Sequence, residues 1–323
     1  MNARTFTTAT LFTAFAGVVA ASAADTQLLS MVMPDAKVVA GVNVDSAKAS
    51  PFGLYVLAQM QTNNTDLQQL IAFTGFDPTR DVDEVLVATP SAVGGKTNGL
   101  VLARGTFDPA LATLAATKGA VTEVYNGVTI IESPDKQAGI AFISTSRVAA
   151  GDVTNVKAAI DRVGSTPSLP SNVLAQVTKW SGAEDAWVIT TVPLAGLVPA
   201  GTGVGTAGAG ANPMANPMAG VMQQVQQMAG GVKFGSSVVG TAAIVADNAA
   251  DATQLANTLQ FFVNLMQMQS QKNPQLANLA QGFSVNAQGT TVNVNITLPE
   301  AQFQQLFQME KKAAVAPMGG KKQ

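Results

Sequence analysis

The stretch Asp35-Ala36-Lys37-Val38-Val39-Ala40-Gly41-Val42 predicts a short strand, and a similar stretch returns later in the chain. The second copy is Asp185-Ala186-Trp187-Val188-Ile189-Thr190-Thr191-Val192. The shift is 185 − 35 = 150 positions, and it keeps the Asp, the Ala and two of the valines in place. This recurrence indicates one βα module that is used twice.

The composition indicates a chain with a sizeable core and few charges. Apolar residues make up 47% of the 323 residues, and charged residues only 12%, about half the ~25% of soluble domains. The formal net charge is −2. A chain without a basic field does not gather phosphates, so we expect no nucleic-acid partner.

Two residue types are absent from the sequence, cysteine and histidine. The first absence excludes disulfides, thiolate metal sites and a lipidated N-terminal cysteine. The second removes the usual general base near neutral pH, the commonest metal ligand and any Ser-His-Asp triad. We therefore predict no catalytic residues and no cofactor.

Residues 1–24 have the pattern of an export signal. Arg4 is followed by the short apolar run LFTAFAGVVA, and Ala21-Ser22-Ala23 fits an A-x-A cleavage site with Ala24 or Asp25 as the new terminus. The apolar run is shorter than the ~20 residues of a spanning helix. We expect a periplasmic or extracellular protein with no transmembrane span after cleavage.

Residues 25–167 are predicted to form the first module, which ends in the linker Ser165 to Ser171. Asn126-Gly127 is the strongest turn motif in it, because both residues tolerate the positive φ of a type I′ hairpin. The predicted helices are Gln27–Met33, one from Ser50-Pro51, Asp66–Phe73, Asp108–Thr117 and one from Asp152. The predicted strands are Lys37–Val44, Val85–Thr89, Gly99–Arg104, the two arms of Val121–Ile131, Ile140–Ile143 and Arg147–Ala150.

Residues 168–310 are predicted to form the second module, with a Gly/Met-rich insert at 196–231. In the insert the spacing of Val221, Met222, Val225 and Met228 predicts a helix. The other predicted elements are the helices Val173–Trp180 and Asp251–Gln271, and the strands Asp185–Val192, Ser236–Val239, Ala242–Ala246, Phe283–Ala287 and Thr291–Leu298. Residues 311–323 are predicted to be disordered.

The predicted fold class is α+β, with an antiparallel sheet in each module and helices packed on one face. The internal repeat predicts a pseudo-twofold duplication. The two modules either share a continuous sheet or pack as a pair.

Two glycine motifs resemble nucleotide-binding loops in part. Gly94-Gly95-Lys96-Thr97 ends like a P-loop, but Pro90 stands where the first glycine belongs and a strand follows in place of a helix. Gly203-Val204-Gly205-Thr206-Ala207-Gly208 matches G-x-G-x-x-G inside a Gly-rich run, and no acidic residue follows before Asp247. A plain hairpin loop accounts for the first motif, and low-complexity composition accounts for the second.

Met214, Met218 and Met222 are spaced four apart and are the candidate metal ligands, since thioethers bind Cu(I). Such clusters more often serve as adaptable core or contact surface.

Arg80, Asp81, Asp83 and Glu84 gather charge in a chain that has little of it. Paired carboxylates can do acid/base work, but a solvated turn with Arg80 paired to a neighbour is the commoner arrangement. On an extended segment Asp81 and Asp83 would point to one side and Glu84 to the other. Trp180 and Trp187 are predicted to pack in the core or at its rim.

Three segments together resemble a family of uncharacterised exported bacterial proteins with duplicated βα modules. They are Leu28-Leu29-Ser30 through Asp35-Ala36, Phe76-Asp77-Pro78 through Asp83-Glu84-Val85-Leu86, and Phe107-Asp108-Pro109. The resemblance implies a duplicated α+β fold and brings no activity, cofactor or site residue.

The leading hypothesis is an exported, non-enzymatic binding or structural protein of the bacterial cell envelope. Its partner is an unknown envelope protein or a second copy of the chain. Deleting Gly201 to Met228 is predicted to abolish association and leave the fold standing. The alternatives are a hydrolase or isomerase that uses carboxylates alone, and a periplasmic Cu(I) binder that uses methionines.

Overall fold

A computed structural model of the chain describes residues 23–55, 58, 76–90, 99–117, 119–191, 225–269 and 280–302. The apolar part of the predicted leader, the predicted helix Asp66–Phe73, both glycine motifs, the three candidate methionines and the predicted tail lie outside these residues.

Within the described residues the fold is built on one antiparallel sheet of twelve strands, ordered β11-β12-β10-β9-β8-β1-β2-β3-β7-β6-β5-β4. The strands are β1 Val38–Asn43, β2 Val82–Thr89, β3 Leu100–Gly105, β4 Val121–Tyr125, β5 Val128–Glu132, β6 Ala138–Ser144, β7 Arg147–Asp152, β8 Ala186–Thr190, β9 Val225–Lys233, β10 Ser237–Ala246, β11 Phe283–Gln288 and β12 Thr291–Pro299. Mixed helices and antiparallel sheet confirm the α+β class, and the sheet is continuous.

The helices whose bounds lie within the described residues are α1 Thr26–Met31, α2 Val44–Lys48, α3 Pro78–Asp81, α4 Ala110–Thr117, α5 Val153–Asp161, α6 Ser171–Ala183 and α7 Ala249–Gln269. Most of them begin at an Asp or Asn whose side chain accepts from backbone N–H groups of the first turn, as N-caps do. These caps are Asp25, Asn43, Asp77, Asp108, Asp152 and Asn248.

The centre of the sheet is the pairing of the two similar stretches, β1 with β8. Val39 lies directly opposite Ile189, and each is 1% exposed. Two positions along the ladder, Gly41 lies opposite the buried ring of Trp187. A Cβ on Gly41 would lie 2.6 Å from two ring carbons of Trp187, so only glycine fits this close approach.

One face of the sheet carries the main core. Helices α1, α5 and α6 pack there, for example through Met31, Val156 and Val177, against strand residues such as Leu86 and Ile189. Both tryptophans, Trp180 and Trp187, belong to this core, so their predicted packing role is confirmed. We call this the core face.

The other face carries helix α7, which packs through Leu255 against Ile244 and Val292. The register shows that this is the opposite face, because Ile244 pairs with Met228 while the core residue Ile189 pairs with Ala229, the next residue along β9. The prediction that helices cover one face only is therefore wrong. A strand exposes alternate residues to both faces, and apolar residues here occupy both sets. We call this the second face.

The predicted helix through Val225 and Met228 is also wrong, because these residues belong to strand β9 between β8 and β10. Its apolar spacing suits a helix, but the sheet pairing on both sides decides the structure. The proposed deletion of 201–228 would thus remove the start of an inner strand. It can test only the part of the insert ahead of Val225.

Other local predictions hold or shift by a few residues. Asn126 and Gly127 have φ of 47° and 80°, as the predicted type I′ turn requires. The two strands predicted within 236–246 are one strand, β10. Val82 to Glu84, predicted as part of a charged turn, already belong to strand β2.

Candidate functional site

The charged group predicted from sequence divides into two parts. Arg80 pairs with its neighbour Asp81, as expected: Nε donates to Oδ1 at 2.6 Å and Nη2 to Oδ2 at 2.7 Å. The hydrogen bond from Arg80 is the main reason why the pKa of Asp81 lies below its ordinary value. The guanidinium is exposed, so the pair is a solvated ion pair at the end of α3.

Asp83 and Glu84 instead turn toward Arg104 on the neighbouring strand β3. Their carboxylates lie 3.3 Å and 3.4 Å from its guanidinium nitrogens. The prediction that Asp81 and Asp83 share a side of an extended segment, away from Glu84, is wrong because Asp81 ends helix α3. Asp83 and Glu84 share Arg104 where the β2–β3 register shifts between Val82 and Glu84. Such a bulge redirects side chains, so consecutive residues can share one partner.

The beginning of the described chain meets the same arginine. The backbone N–H of Asp25 donates to Glu84 Oε1 at 3.0 Å, and Asp25 Oδ2 lies 3.7 Å from Arg104 Nε. One residue earlier, the Ala24 nitrogen donates at 3.0 Å to the hydroxyl of Ser181 on α6. We call Asp25, Asp83, Glu84 and Arg104 the Arg104 cluster.

The electrostatics of the Arg104 cluster are unbalanced. Its ion pairs place three carboxylates around one guanidinium, a formal sum of 1 − 3 = −2. Glu84 is buried, at 7% exposure. Burial is the main cause that raises the pKa of Glu84, against the opposing effects of the Asp25 N–H and Arg104. The cluster therefore holds excess negative charge at the first described residues.

A cleft of about 240 Å³ lies near the Arg80–Asp81 pair, lined by Phe76, Arg80, Asp81, Thr106, Phe107, Asp108 and Leu111. It is smaller than the ~300–1,000 Å³ of typical small-molecule sites. Both carboxylates that line the cleft already have hydrogen-bond partners in the fold. Asp81 binds Arg80, and Asp108 Oδ1 accepts the N–H of Ala110 at the start of α4.

The second face of the sheet carries an apolar row that crosses five adjacent strands. Ala40, Val87, Val101, Ala150 and Ile140 lie directly opposite one another in strands β1, β2, β3, β7 and β6. The three larger side chains are 39–44% exposed, Val87 at 41%, Val101 at 39% and Ile140 at 44%. We call these five residues the valine strip.

The valine strip extends the apolar surface that α7 covers farther along the same face. On the β8 side the row continues through Val188, Gly230 and Ala242 to Val294, which packs against the α7 cluster. Sequence reasoning missed the strip, although a signal existed. Runs such as Val85-Leu86-Val87-Ala88 and Leu100-Val101-Leu102 are apolar at consecutive positions, as in strands with two apolar faces.

The remaining predicted site residues give no assembled centre. The candidate ligands Met214, Met218 and Met222 lie outside the described residues. Within the part of the chain that the structure describes, no group of three or more His, Cys, Asp or Glu residues could hold a metal ion. In the same part, no helix is long and apolar enough to span a bilayer.

Comparison with known proteins places the chain near no named family. No protein-family model matches it, and no curated protein matches its sequence. A solved structure titled "Structure of crystal form I of TP0453" is similar to it, with a TM-score of 0.49 and 11% sequence identity. The match covers 88% of this chain and 98% of the other. At these values the likeness carries no argument about function.

Proposed function

We propose that the chain is an exported, non-enzymatic binding or structural protein of the bacterial cell envelope. The observation that supports this most is the valine strip. It offers a partner an apolar surface on a rigid element, the middle of a twelve-stranded sheet. Exposed contiguous apolar surface in a folded protein commonly marks an interaction site.

The charged groups favour the same proposal over carboxylate catalysis. A carboxylate-only enzyme needs two acids that converge on a substrate pocket with pKa values matched to their roles. In the described cleft Asp81 and Asp108 are occupied by Arg80 and by a helix start. The buried Glu84 lies under the first described residues, where it accepts the Asp25 N–H.

The test is affinity capture from native envelope extract with quantitative mass spectrometry. A Val87→Lys/Ile140→Lys variant places two charges in the strip, with strands β3 and β7 between them so that the lysines do not face each other. Because both side chains are partly exposed, it should fold with little loss of stability. We expect proteins captured by the wild type to be lost with this variant. They should be retained with the control Val163→Lys, which alters a residue of similar exposure, 39%, after α5.

Capture that is unchanged by the strip variant would reject the strip as the contact surface. Sedimentation velocity on the same variants separates an envelope partner from self-association. A second copy on the strip would give a concentration-dependent dimer that the lysines abolish.

We also propose that the scaffold is an internal duplication. Val39 and Ile189, which face each other at the sheet centre, are 189 − 39 = 150 positions apart, the same shift as the two similar stretches. Equivalent residues face each other in this way where a twofold axis crosses an antiparallel pair. Outward from the centre, the strand order is β1-β2-β3-β7-β6 on one side and β8-β9-β10-β12-β11 on the other.

The helices follow the same correspondence. Helices α1 and α6 precede the central strands, and α4 and α7 follow the third strand of each half. The hairpin β4–β5 is extra in the first half. Superposing residues 35–160 on 185–298 in a crystal structure tests the proposal. Reversed strand directions in one half would overturn it.

A further inference from the structure

The backbone at the predicted cleavage site makes specific contacts with the rest of the fold. The nitrogens of Ala24 and Asp25 are bound by side chains distant in sequence, Ser181 at 157 positions and Glu84 at 59 positions. Both acceptor residues are buried, Ser181 at 2% and Glu84 at 7% exposure. Ala24 itself packs against the main core, whereas Ala23 is exposed.

We propose that processing between Ala23 and Ala24 creates an α-ammonium group that Ser181 and the Arg104 cluster hold as a fixed part of the mature fold. The inference rests on the proposed export. In the cleavage a signal peptidase adds water across the Ala23–Ala24 peptide bond. The hydroxyl goes to the Ala23 carbonyl, which leaves as a carboxylate on the leader, and the Ala24 nitrogen takes up protons to become the ammonium.

The hydroxyl of Ser181 is already placed for this group. It accepts from the Ala24 nitrogen at 3.0 Å, and it would accept equally from an ammonium N–H. Because Ala23 is exposed whereas Ala24 packs on the core, the bond to be cut connects an outer residue to an inner one. Removing the leader thus leaves the Ala24 contact in place.

The charge of the site favours a cation there. Three carboxylates share one guanidinium in the Arg104 cluster, so one further positive charge would reduce its formal sum from −2 to −1. The Asp25 nitrogen lies 3.0 Å from Glu84 Oε1. Consecutive backbone nitrogens are at most about 3.7 Å apart, which places the new ammonium within about 7 Å of that oxygen. A charge pair at this distance beside a buried carboxylate is weakly screened.

The alternative terminus, Asp25, fits the site less well. Cleavage after Ala24 would remove the residue that binds Ser181 and packs on the core. It would leave the Ser181 hydroxyl, 2% exposed, without this partner.

The first measurement is the intact mass of the protein recovered from the periplasm after expression with its own leader. The expected species lacks residues 1–23. A chain that keeps them would overturn both this inference and the proposed export. A chain that begins at Asp25 would overturn the assignment of Ala24 alone.

The second measurement is the acylation rate of the α-amino group near neutral pH, where lysine side chains react slowly because their ordinary pKa is about 10.4. The native protein should react at least about tenfold more slowly than the denatured chain, since each pKa unit in favour of the ammonium lowers the free amine tenfold. Ser181→Ala and Glu84→Gln should each raise the native rate. The matched control Ser171→Ala, an exposed serine on the same helix, should leave it unchanged.

The fold need not be lost in these variants. Glutamine at position 84 keeps an oxygen that can accept the Asp25 N–H, and circular dichroism verifies the native state before labelling. Equal rates in the native and denatured chains, or native rates that neither variant changes, would overturn the docked ammonium. If the intact mass nevertheless shows that residues 1–23 are removed, the proposed export would still be supported.

Discussion

Gly41→Ala is expected to destabilise the protein through the ring of Trp187. A Cβ at this position would lie 2.6 Å from Trp187 Cε2 and Cζ2, and 2.8 Å from Nε1. Carbon atoms in contact prefer about 3.5–4.0 Å, so the ring or the strand must move by about 1 Å. Trp187 is 6% exposed and packed in the main core, which leaves little room for that movement.

Overpacking of this kind costs typically ~1–3 kcal/mol, and we expect about 2 kcal/mol here. At ~2.1 cal/mol/K of unfolding entropy per residue, a chain of this size would show a fall in Tm of roughly 3 °C. The assay is urea unfolding followed by tryptophan fluorescence, together with calorimetry. The matched control is Gly99→Ala, because the nearest atom to its added Cβ is the Ala88 carbonyl oxygen at an ordinary 3.8 Å. The control should be neutral or slightly stabilising, by up to about 1 kcal/mol.

A second background tests the cause directly. Trp187→Phe replaces the two fused rings of the indole by one phenyl ring, so the added methyl of Gly41→Ala contacts fewer atoms. The cost of Gly41→Ala should fall in that background, with a coupling energy of about 1 kcal/mol or more. If Gly41→Ala behaves like Gly99→Ala, or costs the same with and without the indole, the close packing of β1 on β8 is not what fixes this glycine.

Three further outcomes follow from the structure. In a chain extended ahead of Ala24, burial raises the pKa of Glu84. The contribution of Glu84 to stability is therefore fully present below the pKa of the unfolded state and is lost as the pH rises through the pKa of the folded state. The free energy of unfolding of Glu84→Gln, compared with that of wild type, should therefore increase from pH 4 to pH 7. Arg162 donates to the Met31 carbonyl at 3.1 and 2.8 Å, so Arg162→Met should cost about 1.5–3 kcal/mol in urea unfolding. Val39→Ile and Ile189→Val should each destabilise the protein, and the cost of Ile189→Val should be about 0.5–1.5 kcal/mol. The double variant, which exchanges the two side chains across the facing pair, should restore most of the stability.

Local patterns in the sequence predicted the elements whose structure is decided locally. Asn126-Gly127 gives its hairpin because two positive φ angles suit few other residues, and Asp108 gives the start of α4 through its own side chain. The spacing of Val225 and Met228, taken alone, predicts a helix. Their strand is decided by β8 and β10 on either side, which sequence spacing does not contain.

The candidate site was less predictable than the fold. The sequence shows Asp83 and Glu84 as part of a charged group, but their partner Arg104 and the Asp25 contact depend on the pairing of β2 with β3 and on a register shift. The valine strip likewise exists only once five strands are in register. Each strand contributes only one of its residues.

The two proposed sites lie on opposite faces of the sheet, which makes them separable. Glu84 and Val87 are three positions apart on β2, beyond the register shift, so their side chains point to opposite faces. Glu84 lies on the core face under the first described residues, and Val87 lies in the strip on the second face. Lysines in the strip should therefore leave the reactivity of the Ala24 amine unchanged, and an extension ahead of Ala24 should leave capture by the strip unchanged. If either change altered the other readout, the sheet would be transmitting strain between its faces, and neither site could be treated as a local feature.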